Sequence, residues 1–182
     1  SPEQWRPVLE RHPGLHLDLA HFGWSHGLRY ADARQRRRRA PNWIRTILGM
    51  LEEFPNLYTD VAHHEVVASG AERDFTEDYR AMCADHQGLV QKRLLFGIDW
   101  HVITRMDGFE GFKAAYARIL GNSGIFSPSE MEDFFGGNAL RFLGLLPVGT
   151  SPADGWTMNR TRLRAFYAAN HVVPPGWFTS TG

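Results

Sequence analysis

Leu15, Leu17 and Leu19 alternate with His16, Asp18 and Ala20, the period of two that predicts a β-strand over 15–21. Two more segments predict strands. Leu57-Tyr58-Thr59-Asp60-Val61-Ala62 is β-branched and aromatic. Arg93-Leu94-Leu95-Phe96-Gly97-Ile98-Asp99 is apolar enough for burial on both faces, as in a parallel sheet. Helical patterns lie between them. Ser1-Pro2-Glu3-Gln4 supplies a cap, a first-turn proline and an acid ahead of Trp5, Val8 and Leu9, with His12-Pro13-Gly14 closing the helix. A second helix opens at Pro41-Asn42-Trp43-Ile44, carries Ile47, Leu48 and Leu51 on one face, and stops at Phe54-Pro55-Asn56. Further helices are predicted over 74–91, with Phe75, Tyr79 and Met82 on one side, over 109–120, and from Ser127 through Leu143. The glycine-bearing stretch 22–40 reads as a long loop, and the residues after Pro147 as a tail with one helical stretch over 160–168.

This alternation defines an α/β protein with a parallel sheet. The strands begin roughly 40 residues apart, room for a full βα unit each. Three strands cannot close a barrel, and a complete (β/α)8 barrel takes about 250 residues. The chain is therefore either an open sheet or part of something larger.

Composition narrows the function classes. The 182 residues are 43% hydrophobic and 22% charged, with 20 basic against 20 acidic side chains. That balance gives no whole-chain field to attract nucleic acid or an anionic membrane, and neither is expected as a partner. The run Arg36 to Arg39 reads as a solvated loop, because arginine is the default cation here: 18 of the 20 basic residues. One cysteine, Cys83, rules out an intrachain disulfide and a cysteine-based zinc cluster, which fits a reducing compartment; the expected location is the cytoplasm. The apolar runs are too short for a membrane helix, and the N-terminal residues have no signal-peptide pattern.

The polar signals fall where the predicted strands stop. His21 ends the first, His63-His64 follow the second, and Asp99 ends the third, with His101 two residues on. In α/β folds the strand C-termini are the functional face. Imidazole with carboxylate suits Zn²⁺ or a similar divalent ion, and a carboxylate beside a metal can take a proton from its water. A hydrogen-bonded structural role accounts for a lone His21 as well, and an arginine or backbone amides would satisfy Asp99. His63 and His64, being adjacent, face opposite ways, so only one can serve a given site. Trp24 and Trp100, just past the candidate residues, are the tryptophans placed to line a pocket.

As a set, these segments resemble the C-terminal half of the amidohydrolase superfamily, in its branch of small metal-dependent hydrolases and decarboxylases. The resemblance is carried by Trp5-Arg6-Pro7-Val8-Leu9 leading to Leu19-Ala20-His21-Phe22-Gly23, by Pro55-Asn56-Leu57-Tyr58-Thr59-Asp60, by Arg93 to Trp100, and by Asn138-Ala139-Leu140-Arg141-Phe142-Leu143. It implies strands 6 to 8, with their flanking helices, of a (β/α)8 TIM-like barrel over 1–146, followed by a tail over 147–182. It further implies a divalent metal, zinc by donor type, with His21 on the strand 6 position and Asp99 on the strand 8 position as metal-facing and catalytic residues. Trp24, Trp100, His101 and His63 would contact a small-molecule substrate. Hydrolysis through a metal-activated water is the expected reaction. Decarboxylation, or a non-catalytic half-barrel that works only with a complementing N-terminal half or by pairing with itself as a homo-oligomer, are the alternatives. This chain departs from the family pattern in having no His-x-His at a strand end, Ile98 where the family has serine before the aspartate, and His101 where it has proline.

Overall fold

The computed structural model describes residues 1–23, 43–67, 70–105, 107–146 and 156–179. Packing divides the chain into two units, Ser1–Ala139 and Leu140–Gly182.

The first unit is built on three parallel strands in the order β1 (Leu17–Leu19), β2 (Leu57–Asp60), β3 (Leu94–Leu95). Leu17 pairs with Leu57, Asp18 with Tyr58, Leu19 with Thr59, and then Thr59 with Leu94 and Asp60 with Leu95. Side chains alternate across a strand, so this register puts Leu17, Leu19, Leu57, Thr59 and Leu94 on one face and Asp18, Tyr58, Asp60 and Leu95 on the other. The leucine face meets the helices. α1 (Arg6–Arg11) precedes β1, and α2 (Trp43–Glu53) leads into β2 with Ile44, Ile47, Leu48, Met50 and Leu51 buried, the stripe its sequence predicted. The second face is polar: the Arg93 guanidinium lies 5.1 Å over the Tyr58 ring, and His16 stands 6.4 Å from the same ring.

Several elements differ from their sequence patterns. The helix expected over 74–91 is two helices, α3 (Ala71–Asp85) and α4 (Leu89–Arg93): α3 closes at His86, whose φ of −128° and ψ of 63° leave the helix, and Gly88, left-handed at φ 71°, caps the start of α4. The third strand pairs only at Leu94–Leu95, not over 93–99. Past Leu95 the Phe96 N–H donates to the Phe134 carbonyl at 3.2 Å, not to a neighbouring strand, and α5 (Trp100–Ile103) follows. The helix over 109–120 becomes α6 (Phe112–Tyr116) running into a π-helical turn, Ala117–Asn122. The next helix is α7 (Pro128–Glu132), capped by Ser127 and Glu130 reciprocally, then a π-helical segment Asp133–Gly137, then α8 (Asn138–Phe142). The π-helical segments bring Phe134 and Phe135 against Phe96, at 5.6 and 5.0 Å, in a cluster completed by Phe112 and Tyr116.

In the second unit α9 (Trp156–Ala169) is longer than its predicted 160–168, and α10 (Gly176–Thr179) follows. Arg160 is its buried cation: its guanidinium lies 4.6 Å over the Phe178 ring and donates to the Phe178 carbonyl. No helix among the described residues is long and apolar enough to cross a membrane.

Asn138 locks the β3 entry. Fully buried, it donates to the carbonyls of Gln91 at 2.7 Å and Leu94 at 3.0 Å. Asn138→Leu would strand those carbonyls in a dry site, so urea unfolding is expected to show a loss of about 2–3 kcal/mol. A loss under about 0.5 kcal/mol would show that Asn138 only fills space.

Candidate active site

Five non-glycine residues among those described have left-handed backbones, and four follow the C-terminal ends of the strands: His21 (φ 64°) and Phe22 (φ 44°) after β1, His63 (φ 61°) after β2, Asp99 (φ 49°) after β3. Each such conformation costs on the order of 1–3 kcal/mol and persists only where the surroundings over-determine it. The strain is concentrated at one rim.

The anchors of His21 show what over-determines it. Its N–H donates to Asp60 Oδ1 at 2.9 Å, its ring Nδ1 meets the Ala62 carbonyl at 3.2 Å, and its own carbonyl meets His64 Nε2 at 3.0 Å. All three come from alternate residues of the β2 exit. Asp60 Oδ1 also accepts the Ala62 N–H at 2.8 Å, which holds that exit in shape. Carbonyls only accept, so Nδ1 of His21 carries the proton and its Nε2 keeps a lone pair in the neutral ring. Gly23, which follows, has φ 79°, and a Cβ there would stand 2.8 Å from Trp43 Cβ; only glycine fits.

The structure brings His21, His63 and Asp99 together. The His21 and His63 rings lie 5.8 Å apart, and His63 Nδ1 stands 3.7 Å from Asp99 Oδ2. On the other side, His101 Nδ1 is 3.1 Å from Asp99 Oδ1. Asp99 is thus flanked by two imidazoles, with its side chain 19% exposed. Trp100 is not drawn into this group. It is 68% exposed and its ring lies against His101 at 5.9 Å. Trp24 lies outside the described residues.

Four further residues support this rim: Asp18, Asp60 and Tyr116, which sequence reasoning misses, and His64, which it leaves open against His63. His64 is buried, and burial pushes its pKa down to about 4, so it is neutral at physiological pH. With Nε2 donating to His21, its Nδ1 accepts from the Tyr116 hydroxyl at 2.7 Å. Asp18 is pushed up to about 8, first by burial, then by the negative charge of Asp60 and a hydrogen bond to it. Its Oδ1 is buried without a partner among the described residues.

A metal centre needs more than this chain shows. Catalytic zinc normally takes three protein ligands. Among the described residues no group of three or more His, Cys, Asp or Glu side chains is placed to hold an ion. His21 and Asp99 by themselves do not fit a catalytic metal.

With this fold and rim in place, comparison with known proteins gives the class. The chain belongs to the amidohydrolase family, whose model matches residues 1–145. That family generally uses divalent metals. The chain is also similar in fold to the crystal structure of an amidohydrolase from Burkholderia multivorans with bound HEPES. The TM-score is 0.56 and the sequence identity 18%, over 77% of this chain and 48% of that one. The chain thus spans about half the length of that relative. No curated protein matches it.

The Asp18 carboxyl makes stability depend on pH. Unfolded, it titrates near 3.8, and folded near 8. Between those values the unfolded chain has released a proton that the native chain keeps, so this group lowers stability as pH rises from about 4 to 8, with no further loss above. Asp18→Asn removes that penalty. We expect it to stabilise the protein by about 1–3 kcal/mol at pH 7.5 and by almost nothing at pH 4 in urea denaturation; an equal effect at both values would exclude a native proton on Asp18.

Proposed function

We propose that this chain supplies strands 6 to 8 of an amidohydrolase-type barrel and takes part in hydrolysis of a small-molecule substrate at the rim bearing His21, His63 and Asp99. The observation that carries the reading is the convergence of these groups, each in a strained backbone, at the C-terminal ends of parallel strands. Asp99 is the general base: its carboxylate, set between His63 and His101, takes the proton from an attacking water. His21, held in the Nδ1–H form by Ala62, offers Nε2 as an acceptor that orients that water. His63 relates the two and, with His101 and Trp100 on the outer side, contacts substrate. Metal binding by His21 and Asp99 belongs to this reading only together with donors from beyond the described residues.

The test is substitution in the complete protein, assayed on a panel of small esters, lactones and amides. Asp99→Asn and His21→Asn should each lower kcat by about 100-fold or more with the fold unchanged. Full activity in Asp99→Asn would remove the base from the mechanism. Loss of CO2 from a carboxylate substrate in place of hydrolysis would turn the reading to a decarboxylase.

The chain's 48% coverage of its structural neighbour supports a second element of the reading: the barrel is completed by more polypeptide. Among the described residues β1 and β3 each pair on one side only, and unpaired edges invite association. The completing strands would come from the same polypeptide, a complementing N-terminal half, or a second copy. Light scattering on the 182-residue chain should therefore show self-association. A stable, fully folded monomer would exclude edge pairing between copies.

A further inference from the structure

His64 does something unusual for a buried histidine. Its Nε2–H goes not to a regular turn but to the carbonyl of His21, a residue with φ 64°. A carbonyl in such a turn points where helix and sheet partners do not reach, and without a donor it would be left unsatisfied in a part-buried place. The His21 carbonyl can only accept, so the His64 ring proton sits on Nε2, and Nδ1 accepts the Tyr116 hydroxyl at 2.7 Å, which holds the ring from its far side. The phenol is itself fixed by its ring. It stands 5.2 Å from Phe112, 5.5 Å from Phe134 and edge-on to Phe96 at 6.3 Å. Phe96 leaves β3 three residues before Asp99.

We propose that Tyr116 and His64 form one positioning unit that sets the backbone of His21, and that Tyr116, through its ring contact with Phe96, keys that setting to the strand exit that ends in Asp99. The hydroxyl and the ring of one buried residue thus serve the two candidate groups separately: the hydroxyl, through His64, holds His21 on the β1 side, and the ring supports the β3 side. Neither His64 nor Tyr116 touches the reacting atoms. The inference rests on the reading of His21 as a working residue, but its test reads the state of His21 itself and needs no substrate.

The experiment is amide hydrogen exchange with ¹⁵N NMR of the histidine side chains, on the intact protein and three variants. Tyr116→Phe keeps the ring and removes the hydroxyl. It should speed exchange of the His21 amide, which donates to Asp60, by about tenfold or more and shift the His64 Nδ1 resonance as that nitrogen loses its donor. The amides of β2 and β3 should change less than twofold. His64→Leu should speed the His21 amide at least as much. His64→Gln carries an amide donor where Nε2 stood, and should restore His21 exchange to within about threefold of the parent. Rescue by glutamine separates positioning from mere core filling, because leucine and glutamine are of similar bulk. The inference is overturned if His21 exchange is unchanged in His64→Leu, if every variant speeds His21, β2 and β3 amides by one common factor, or if glutamine fails to rescue while the strand amides stay protected. None of these outcomes bears on whether Asp99 is a base, which the activity of Asp99→Asn decides.

Discussion

The rim of this molecule depends on one short piece of backbone, the exit of β2 from Asp60 to His64. The groups of that exit that reach His21 come from Asp60, Ala62 and His64, with the left-handed turn at His63 between the last two. They offer a carboxylate, a carbonyl and an imidazole N–H. His21 needs those three complements: an acceptor for its N–H, an acceptor for its ring and a donor for its carbonyl. Each bond contributes about 1 kcal/mol net, comparable with the strain of a left-handed histidine. Their sum, not any one of them, makes the turn stable. Because the anchors sit on the neighbouring strand, the position of His21 is fixed relative to β2 and not only to its own loop.

The fold supplies the conditions for this. A parallel sheet places all three C-termini on one side, so the residues after β1, β2 and β3 must meet there or be kept apart by design. Here they meet, with His63 between His21 and Asp99. The leucine face of the sheet is closed by helices, and the aromatic cluster around Phe96 braces the β3 exit. Rigid packing below and strained turns above is the arrangement that orients side chains at little entropic cost when substrate arrives.

Much of the fold is legible in the sequence because it rests on local periodicity. The alternation at Leu15 to Ala20 and the Ile44–Leu51 stripe predict β1 and α2, with ends trimmed by a few residues. The third strand is over-read for a physical reason. Leu94 to Ile98 is apolar throughout, but Phe96 gives its N–H to Phe134 and Asp99 turns left-handed, neither of which a pattern of hydrophobicity contains. Likewise the 74–91 helical pattern conceals the break between His86, where α3 closes, and Gly88, whose φ of 71° opens α4. At the rim, strand-end logic points to His21, His63 and Asp99. It misses Asp60 because its work is done through hydrogen bonds to backbone atoms, and Tyr116 because its hydroxyl finds His64 from 52 residues away. His64 it leaves open against His63 by an adjacency argument that assumes a strand; His63 instead sits in a left-handed turn with φ 61°, and His64 holds the His21 carbonyl.

The acids under the turn complete the electrostatic logic. Asp60 Oδ1 receives two backbone N–H groups, from His21 and Ala62. A second ionised carboxylate beside it would repel its charge in a region poor in water. Asp18, on the same face one strand away, is instead held in its protonated form by burial and by Asp60 itself, and its proton can be shared with Asp60. A neutral Asp18 therefore supports the anchor where an ionised one would oppose it, even though burying it lowers stability at neutral pH. The same interior face carries Arg93 over Tyr58 with its Nε buried and without a hydrogen-bond partner among the described residues. Under the proposed barrel reading, further strands beside β1 or β3 would supply partners for these groups on Asp18 and Arg93, both facing the side of the sheet away from its helices.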